Sequence, residues 1–400
     1  MNQLIKKRIE AVRRGEVPEG YLSENHQLRP ADWQYDKIGK YLVPYDEFSN
    51  ETEAYPLATS SRQGLMLQSE YYSDQRYEET SGGFHVVPEG YVTYRHMSDD
   101  DIFRFNVNKM GTPVLVSPEY PVFTTAAGLD QDLLIAYLNN MKEFTAYCSA
   151  QKKGSTRTRM YFSRLSEFVM PIPPIEEQQK IAEILAICDR MIELKQQLLE
   201  EKHKAFRHIM TMLFKGANGY RELGKMAKIT MGQSPDSSSY NTDEDGVPLL
   251  QGNADISNGF PAPRYYTNQP TKMCMPGDLL LSVRAPVGEV SHSDRSACIG
   301  RGLCSIRAGK FTEFIYYYLR YYEPEWNKIS QGSTFTAISG DDIKKVQIPA
   351  VDDITLNRSI NILRCADNEI QLLKQDLEAW QQKKKALIQL LLTGLVRVNA

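Results

Sequence analysis

The sequence predicts an α+β protein in which two similar mixed α/β globular modules are separated by two long helices that form an antiparallel coiled coil. Two observations predict this fold. The sequence repeats itself at an offset of 178 residues, and each copy ends in a stretch with heptad spacing of apolar side chains. The repeat gives one chain an internal pseudo-twofold relation. Such a shape suits a partner that is itself repetitive, as duplex DNA is.

The repeat is visible at several places in the chain. Gly154-Ser155-Thr156 recurs as Gly332-Ser333-Thr334, and Tyr35-x-x-Ile38-Gly39-Lys40 resembles Tyr220-x-x-Leu223-Gly224-Lys225. The offset of 178 residues also matches further single residues: Asp189 with Asp367, Ile192 with Ile370, Leu194 with Leu372, Gln197 with Gln375, Leu199 with Leu377, Glu200 with Glu378 and Gly216 with Gly394. Each half is therefore predicted to be a globular module followed by a long helix.

Proline and glycine signals divide the chain into five parts. The predicted parts are an N-terminal helix and arm (1–30), a first module (31–170), a first long helix (171–216), a second module (217–348), and a second long helix with a C-terminal tail (349–400). Residues 2–14 read as a short basic helix ended by Gly15. This helix either closes the pseudo-symmetric circle beside the second helical region or forms a disordered basic arm.

The two long helices carry matching apolar seams. The predicted interface residues are Leu185, Ile192, Leu199, Phe206, Ile209 and Leu213 in the first helix, and Leu363, Ile370, Leu373, Leu377, Trp380, Leu387 and Leu391 in the second. A helix of about 40 residues is about 60 Å long and does not keep such a seam exposed, so each helix is the natural partner of the other. Parallel and antiparallel pairing both keep the seam lysines apart, and closure around a twofold DNA site favours the antiparallel form.

Composition excludes several classes of protein. A net charge of -3 excludes a uniformly basic nucleic-acid binder, so any phosphate-binding surface is a local patch. Six scattered cysteines without a CxxC pair indicate a reducing compartment and neither a zinc ribbon nor a disulfide framework. The chain lacks an apolar run of about 20 residues and a signal peptide, which predicts a cytoplasmic protein.

The sequence shows no catalytic set. Phosphate-loop, dinucleotide-binding and Gly-x-Ser-x-Gly motifs are absent, as is the tetrapeptide that binds adenine in methyltransferases. Pro235-Asp236 begins like a nuclease motif, but the acids that follow lack the required lysine, and the six histidines lack metal-ligand spacing. The sequence therefore predicts a chain that is not an enzyme and binds no metal.

Candidate DNA-binding residues are polar or cationic side chains on loops and strand ends, where they can hold phosphates or read base edges. In the first module they are Arg62, Gln63, Arg95, Lys152, Lys153, Ser155, Thr156, Arg157 and Arg159. In the second module they are Gln233, Ser234, Arg264, Tyr265, Arg284, Arg301, Gln331, Ser333 and Thr334. The alternative for each loop is an ordinary exposed turn.

The arrangement resembles the specificity subunit of type I restriction–modification enzymes, with two target recognition domains. The segments that carry the resemblance are Ile172–Leu185 at the start of the first long helix, Leu391–Val398 at the end of the second, and the landmarks Gly232-Gln-Ser-Pro235, Pro276-Gly277-Asp278 and Gly332-Ser-Thr334. The first module departs from this pattern at Tyr41–Tyr45, and the second helix departs at Val351–Asn357.

The resemblance implies how such a chain acts. Each target recognition domain reads one half of a split double-stranded DNA site, and the coiled coil fixes the gap between the halves. Two modification subunits would carry S-adenosylmethionine and methylate adenine, and restriction subunits would add ATP and Mg chemistry; this chain itself would bind no cofactor. The competing hypothesis is a coiled-coil scaffold with two protein-binding modules.

The Lys152–Arg159 cluster generates the first testable prediction. Lys152→Ala combined with Lys153→Ala should weaken binding to all DNA sequences and flatten the dependence of log affinity on log salt by up to ~2, because two phosphate contacts are lost. Salt-dependent binding titrations measure both quantities. An unchanged slope would remove this loop from the DNA footprint.

Overall fold

The structure is a computed structural model that describes residues 3–24, 27–71, 83–152, 157–257, 259–331 and 337–398. Contacts between residues divide the chain into two units. Unit 1 contains residues 1–194 and 377–400, and unit 2 contains residues 195–376. The long helices α6 (Ile175–Lys215) and α10 (Asp353–Leu392) do not form a unit of their own, because each contributes part of its length to both units.

Unit 1 contains the first module and both chain ends. Its short helices are α1 (Gln3–Arg13), α2 (Gln68–Tyr71), α3 (Gln131–Asn140), α4 (Lys142–Ala150) and α5 (Phe162–Leu165). Its strands are β1 (Tyr21–Glu24), β2 (Gln27–Pro30), β3 (Gln34–Lys37), β4 (Leu42–Pro44), β5 (Phe48–Ser49), β6 (Ala58–Ser61), β7 (Gly64–Leu67), β8 (Phe84–Val87), β9 (Val92–Tyr94), β10 (Met97–Ser98), β11 (Phe105–Val107), β12 (Val114–Val116), β13 (Val122–Thr125), β14 (Thr158–Arg159) and β15 (Val169–Ile172).

Unit 2 contains the second module between the remaining parts of the two long helices. Its short helices are α7 (Leu223–Met226) and α9 (Gly340–Lys344), and α8 (Thr312–Gln331) is longer. Its strands are β16 (Tyr220–Glu222), β17 (Lys228–Met231), β18 (Tyr240–Asn241), β19 (Val247–Leu250), β20 (Ile256–Ser257), β21 (Phe260–Pro261), β22 (Tyr265–Thr267), β23 (Met273–Cys274), β24 (Leu279–Ser282), β25 (Val290–His292), β26 (Ala297–Ile299), β27 (Leu303–Arg307) and β28 (Gln347–Pro349).

The two modules share one sheet topology. The first has a four-stranded antiparallel sheet in the order β11-β9-β13-β4, and the second has the same arrangement as β25-β24-β27-β17. In each sheet the second strand in sequence pairs with the third and the fourth, and the fourth pairs with the first. The repeat seen in the sequence is therefore a repeat of folded modules.

A small two-stranded sheet closes the base of each module. In β3–β15, Tyr35 lies opposite Pro171, and in β16–β28, Tyr220 lies opposite Pro349. These pairs consist of residues that the sequence repeat matches. The proline shortly before each long helix thus lies in an edge strand, where a residue without a backbone N–H is tolerated.

The repeated glycine of the Tyr-x-x-Ile/Leu-Gly-Lys motif allows a close backbone approach. A Cβ atom on Gly39 would lie 2.6 Å from the carbonyl oxygen of Ser166, and one on Gly224 would lie 3.0 Å from the Cβ of Lys344. Ser166 and Lys344 are themselves 178 residues apart. Each glycine therefore lets the start of its module pack against the short helix that precedes the long helix.

Pairing of α6 with α10 is antiparallel. In unit 2, Lys195 forms an ion pair with Asp376, and the side chain of Lys202 lies 2.5 Å from that of Glu369. The residue numbers of the α10 partners therefore decrease as those of α6 increase. In unit 1, Asp189 forms an ion pair with Lys384. All the seam residues predicted above are buried or half-buried. The predicted antiparallel coiled coil is confirmed.

The C-terminal tail is held against the start of the first module. Arg397 donates to both carboxylate oxygens of Asp32, at 2.9 and 2.8 Å, and to both of Glu177, at 2.8 Å each. Glu177 is buried and also accepts from the indole N–H of Trp33 at 3.0 Å. The Arg397 guanidinium holds the pKa of Asp32 below its usual range. Glu177, which lies in the segment Ile172–Leu185 that carries the family resemblance, thus connects the start of the first module with the C-terminal tail.

The N-terminal basic helix is present as α1 and reaches the same region. Arg8 of α1 donates to the carbonyl of Leu395 at 3.4 Å, and the hydroxyl of Tyr21 donates to the carbonyl of Gly394 at 2.5 Å. Both contacts connect the N-terminal arm with the tail that follows α10. Within the described residues, no helix is long and apolar enough to span a membrane.

The Arg397 cluster generates a stability prediction. Arg397→Ala leaves the buried Glu177 carboxylate without its cation, which should cost about 3 kcal/mol and lower the unfolding midpoint of unit 1 by roughly 5–10 °C. Differential scanning calorimetry measures the midpoint. Arg14→Ala is the matched control, because within the described residues Arg14 forms its ion pair with its exposed neighbour Glu16, and its loss should leave the midpoint unchanged. Equal unfolding midpoints for wild type and Arg397→Ala would contradict a structural role for the ion pairs of Arg397.

Candidate nucleic-acid interface

A cleft in the first module collects three of the predicted DNA-binding residues. The cleft has a volume of about 580 Å³, and Arg62, Gln63 and Arg95 line it. Arg62 and Gln63 form the two-residue turn between β6 and β7, and Arg95 directly follows β9. The side chain of Arg95 is exposed and forms neither a hydrogen bond nor an ion pair within the described part of the chain.

Three consecutive aspartates form ion pairs with cations beside this cleft. Asp99 accepts from Arg157 at 2.8 Å, Asp100 forms an ion pair with Arg62, and Asp101 lies 3.7 Å from Lys152. Arg62 comes from the β6–β7 turn and the other two cations come from the basic segment Lys152–Arg159, so the acidic run Asp99–Asp101 brings these two segments together. Asp101 has a positive φ of 64° and also accepts from the hydroxyl of Thr158. In the free protein these three cations are therefore already paired with carboxylates.

The basic loop of the first module is described only in part. Lys153, Ser155 and Thr156 lie outside the described residues. Arg159, on β14, is exposed, and its guanidinium lies 3.4 Å from the hydroxyl of Tyr161. The predicted phosphate contacts of this loop therefore stay predictions.

A second cleft lies in the second module and brings four predicted residues together. Its volume is about 440 Å³, and Ser234, Arg264, Arg284 and Arg301 line it. Arg264 is tied to the buried carboxylate of Asp255 at 2.8 Å. Arg284 is the second residue after β24, and Arg95 is the first residue after β9, the equivalent strand. The shared sheet thus presents an arginine to a cleft at similar places in both modules.

Two other predicted residues of the second module, Gln233 and Tyr265, do not line this cleft. Gln233 is exposed and its backbone is bonded to Ile299, while Tyr265 lies on β22 with its ring centroid 6.5 Å from that of Tyr240. Gln331 ends α8 with its side chain undescribed, and Ser333 and Thr334 lie outside the described residues. The DNA-binding role of these five residues stays a prediction, as it does for the residues that line the clefts.

Several family-like landmarks support the fold of the second module. Asp278 is buried, and although burial raises the pKa of its carboxyl, hydrogen bonds from Arg307, Ser305 and the N–H of Met275 outweigh that effect and lower it. A Cβ atom on Gly232 would lie 2.1 Å from the carbonyl oxygen of Gly300. These landmarks hold the strands that carry the cleft.

Sequence reasoning missed the acidic partners of the cations. Three consecutive acids close to predicted DNA-binding residues are a visible signal, and Asp99–Asp101 could have been singled out on that ground. Asp255 and the cleft residue Asn253 carry no such signal, because only the folded chain brings them beside Arg264 and Arg284. Within the described residues, no group of three or more potential metal-ligand side chains is found.

Comparison with known proteins decides the family. The model of the type I restriction modification DNA specificity domain matches residues 90–201 and again residues 218–379, one match in each half of the chain. The chain belongs to this family. It is a type I specificity subunit with two domains, and specificity subunits are the non-catalytic components of these systems.

Two relatives from Methanocaldococcus jannaschii support this assignment. The chain is 35% identical to the MjaX type I restriction enzyme specificity subunit, over 66% of this chain and 68% of the relative. It is 24% identical to the MjaVIII specificity subunit, over 94% of this chain and 96% of that protein. The resemblance inferred from the sequence is therefore confirmed.

Solved structures show the same fold. A chain from a structure describing complex assembly and conformational transition of the type I restriction–modification system superimposes with a TM-score of 0.61 at 22% identity, covering 91% of this chain and 98% of that one. The S subunit of the type I system of M. genitalium gives 0.58 at 15% identity, covering 90% and 96%. The two-domain fold with long helices is thus confirmed for this specificity subunit.

The acidic run generates a binding prediction. Asp99→Asn with Asp100→Asn keeps the hydrogen-bond acceptors but removes the charges that hold Arg157 and Arg62. Both cations then become available to phosphates, so affinity for random-sequence DNA should rise at low salt and the salt slope should steepen by up to ~2. Fluorescence anisotropy at several salt concentrations measures this slope. Asp294→Asn, which frees Arg295 in the second module, is the control. No change beyond the control would show that Arg62 and Arg157 do not face DNA.

Proposed function

We propose that this specificity subunit recognises a bipartite double-stranded DNA site, with each module reading one half. The observation that carries the proposal is the pair of clefts at similar places of the repeated sheet, each lined by exposed arginine and by neutral polar side chains. Arginine and amide side chains are the groups that read base edges in the major groove, while hydroxyl groups also bond phosphates. Two readers in one chain suit a site with two halves.

The long helices supply the spacing in this proposal. Both α6 and α10 run without a break from one unit into the other, over 41 and 40 residues. A continuous helix pair resists bending, so the distance between half-sites would be fixed by helix length. The bases in the gap would then contribute little to recognition.

The chemistry would be performed by partner subunits. We propose that two modification subunits bring S-adenosylmethionine and methylate an adenine after flipping it out of the duplex. Restriction subunits, where present, would use ATP and Mg to cleave DNA. This chain would bind none of these cofactors, and it would direct the reaction in the cytoplasm.

Exposed apolar residues on the long helices support docking of such partners. Leu194 on α6 and Leu372 on α10 are equivalent in the repeat, and they are 43% and 65% exposed. Ile187 is 55% exposed, and its equivalent Cys365 is also exposed. A repeated apolar patch suits two copies of one partner, because each copy would meet the same surface.

Selection from random DNA tests the proposal. The purified chain, with and without its modification subunits, is mixed with a random-sequence duplex pool, and the bound fraction is separated by gel shift and sequenced. We expect enrichment of two short sequence blocks at one fixed separation. Absence of enrichment with the intact complex would overturn the proposal and favour a scaffold that binds proteins through its two modules.

A further inference from the structure

Arg301 is presented to the second-module cleft by a tightly fixed turn. The N–H groups of Gly300, Arg301 and Gly302 donate to the Leu250 carbonyl, the Ser234 hydroxyl and the Gln251 carbonyl at 2.7, 3.2 and 3.1 Å. A Cβ atom on Gly302 would lie 2.2 Å from that Gln251 oxygen, so only glycine fits there. The backbone below the Arg301 side chain is therefore fixed before any ligand binds.

Arg284 comes from the neighbouring backbone segment. The N–H of Val283 donates to the carbonyl of Gly302 at 3.0 Å, which ties the residue before Arg284 to the residue after Arg301. On its other side, the carbonyl of Val283 accepts from Ile338 at 3.1 Å, and the carbonyl of Arg284 accepts from the hydroxyl of Ser282 at 2.9 Å. Both arginines thus extend from backbone that the fold holds in place.

The charges of this cleft are unbalanced. Arg264, Arg284 and Arg301 line it together with a single carboxylate, Asp255, and that carboxylate is bonded to Arg264. Within the described residues, the guanidinium groups of Arg284 and Arg301 form neither hydrogen bonds nor ion pairs. Both arginines therefore keep donors available, and a ligand that offers acceptors can bond to each of them.

We infer that the second module reads guanine at two positions of its half-site, one through Arg284 and one through Arg301. This inference rests on the DNA recognition proposed above. The major-groove edge of guanine presents two acceptors, N7 and O6, and the planar guanidinium donates to both at once. Two fixed arginines on neighbouring segments suit two guanines on nearby base pairs.

The composition of the cleft favours base edges over phosphates. Its cations are all arginines, whose planar fork bonds two acceptors at once on a phosphate as well as on a guanine edge, so the neutral side chains of the lining make the difference. The uncharged lining residues Ser234, Gln251 and Asn253 carry hydroxyl and amide groups, which donate and accept hydrogen bonds as base edges require. Arg264, held by Asp255, forms a further wall of the cleft.

The test uses the full chain assembled with its modification subunits and the random-pool selection. For wild type we expect one half-site to contain two guanines. Arg284→Ala should abolish the preference at one of them and Arg301→Ala at the other, with a loss of discrimination of roughly five- to 150-fold each. Arg284→Gln should shift the preference at its position toward adenine, because glutamine pairs with the adenine edge. Affinity for random duplex should change less than about twofold.

Controls locate the effect and separate the possible failures. Arg295→Ala removes an exposed arginine of the same module that pairs with Asp294 outside the cleft, and it should leave both half-sites unchanged. Arg95→Ala should alter only the other half-site. Arg284→Lys and Arg301→Lys keep the charge and the fold, and they should also relax the guanine preference.

A split motif whose guanines persist in both Ala variants would overturn this inference alone. A uniform loss of affinity with a salt slope reduced by ~0.9 per variant would also overturn it, because that result identifies phosphate contacts. Selection of no split motif by wild type would overturn the proposed function together with the inference.

Discussion

The apolar seam shared by α6 and α10 is the constraint on which the rest of the architecture depends. Each helix is about 60 Å long at ~1.5 Å per residue, and an exposed seam of that length would not be stable in water. Among the elements that the structure describes, the other helix is the one of matching length and spacing. A whole module lies between them in sequence, which leaves the chain long enough to bring the second helix back antiparallel to the first. The ion pairs Lys195–Asp376 and Lys202–Glu369 follow from that register.

The repeated sheet separates the parts of each module that must stay the same from the parts that differ. The Tyr35–Pro171 pair recurs as Tyr220–Pro349, and the close-packed Gly39 recurs as Gly224. The clefts do not recur in this way. In the first module a run of three aspartates pairs with three cations. In the second module one buried aspartate pairs with one arginine, and two other arginines form no ion pair within the described residues. A common scaffold with different clefts is what two readers of different half-sites require.

Local patterns allowed much of the fold to be predicted from the sequence. The heptad seam depends only on residues three and four apart, and the modules are visible because the chain repeats itself. Arg95, Arg284 and Arg301 were also singled out, because arginines near strand ends stand out in a sequence. The structure places all three in clefts, and their role in DNA binding stays a prediction. The partners of the charges were not predicted, since they depend on distant parts of the chain. Glu177 and Arg397 are 220 residues apart, and only the closed fold brings them together.

The central claim is that each cleft contacts a different half of one DNA site, and site-specific photocrosslinking tests it most directly. A photoreactive amino acid is placed at Gln63 in the first cleft or at Asn253 in the second, and the complex is irradiated on its selected DNA. The account predicts that each position crosslinks to bases of one half only, that the two halves differ, and that the gap is not labelled. Crosslinks from both positions to the same half, or to the gap, would contradict it.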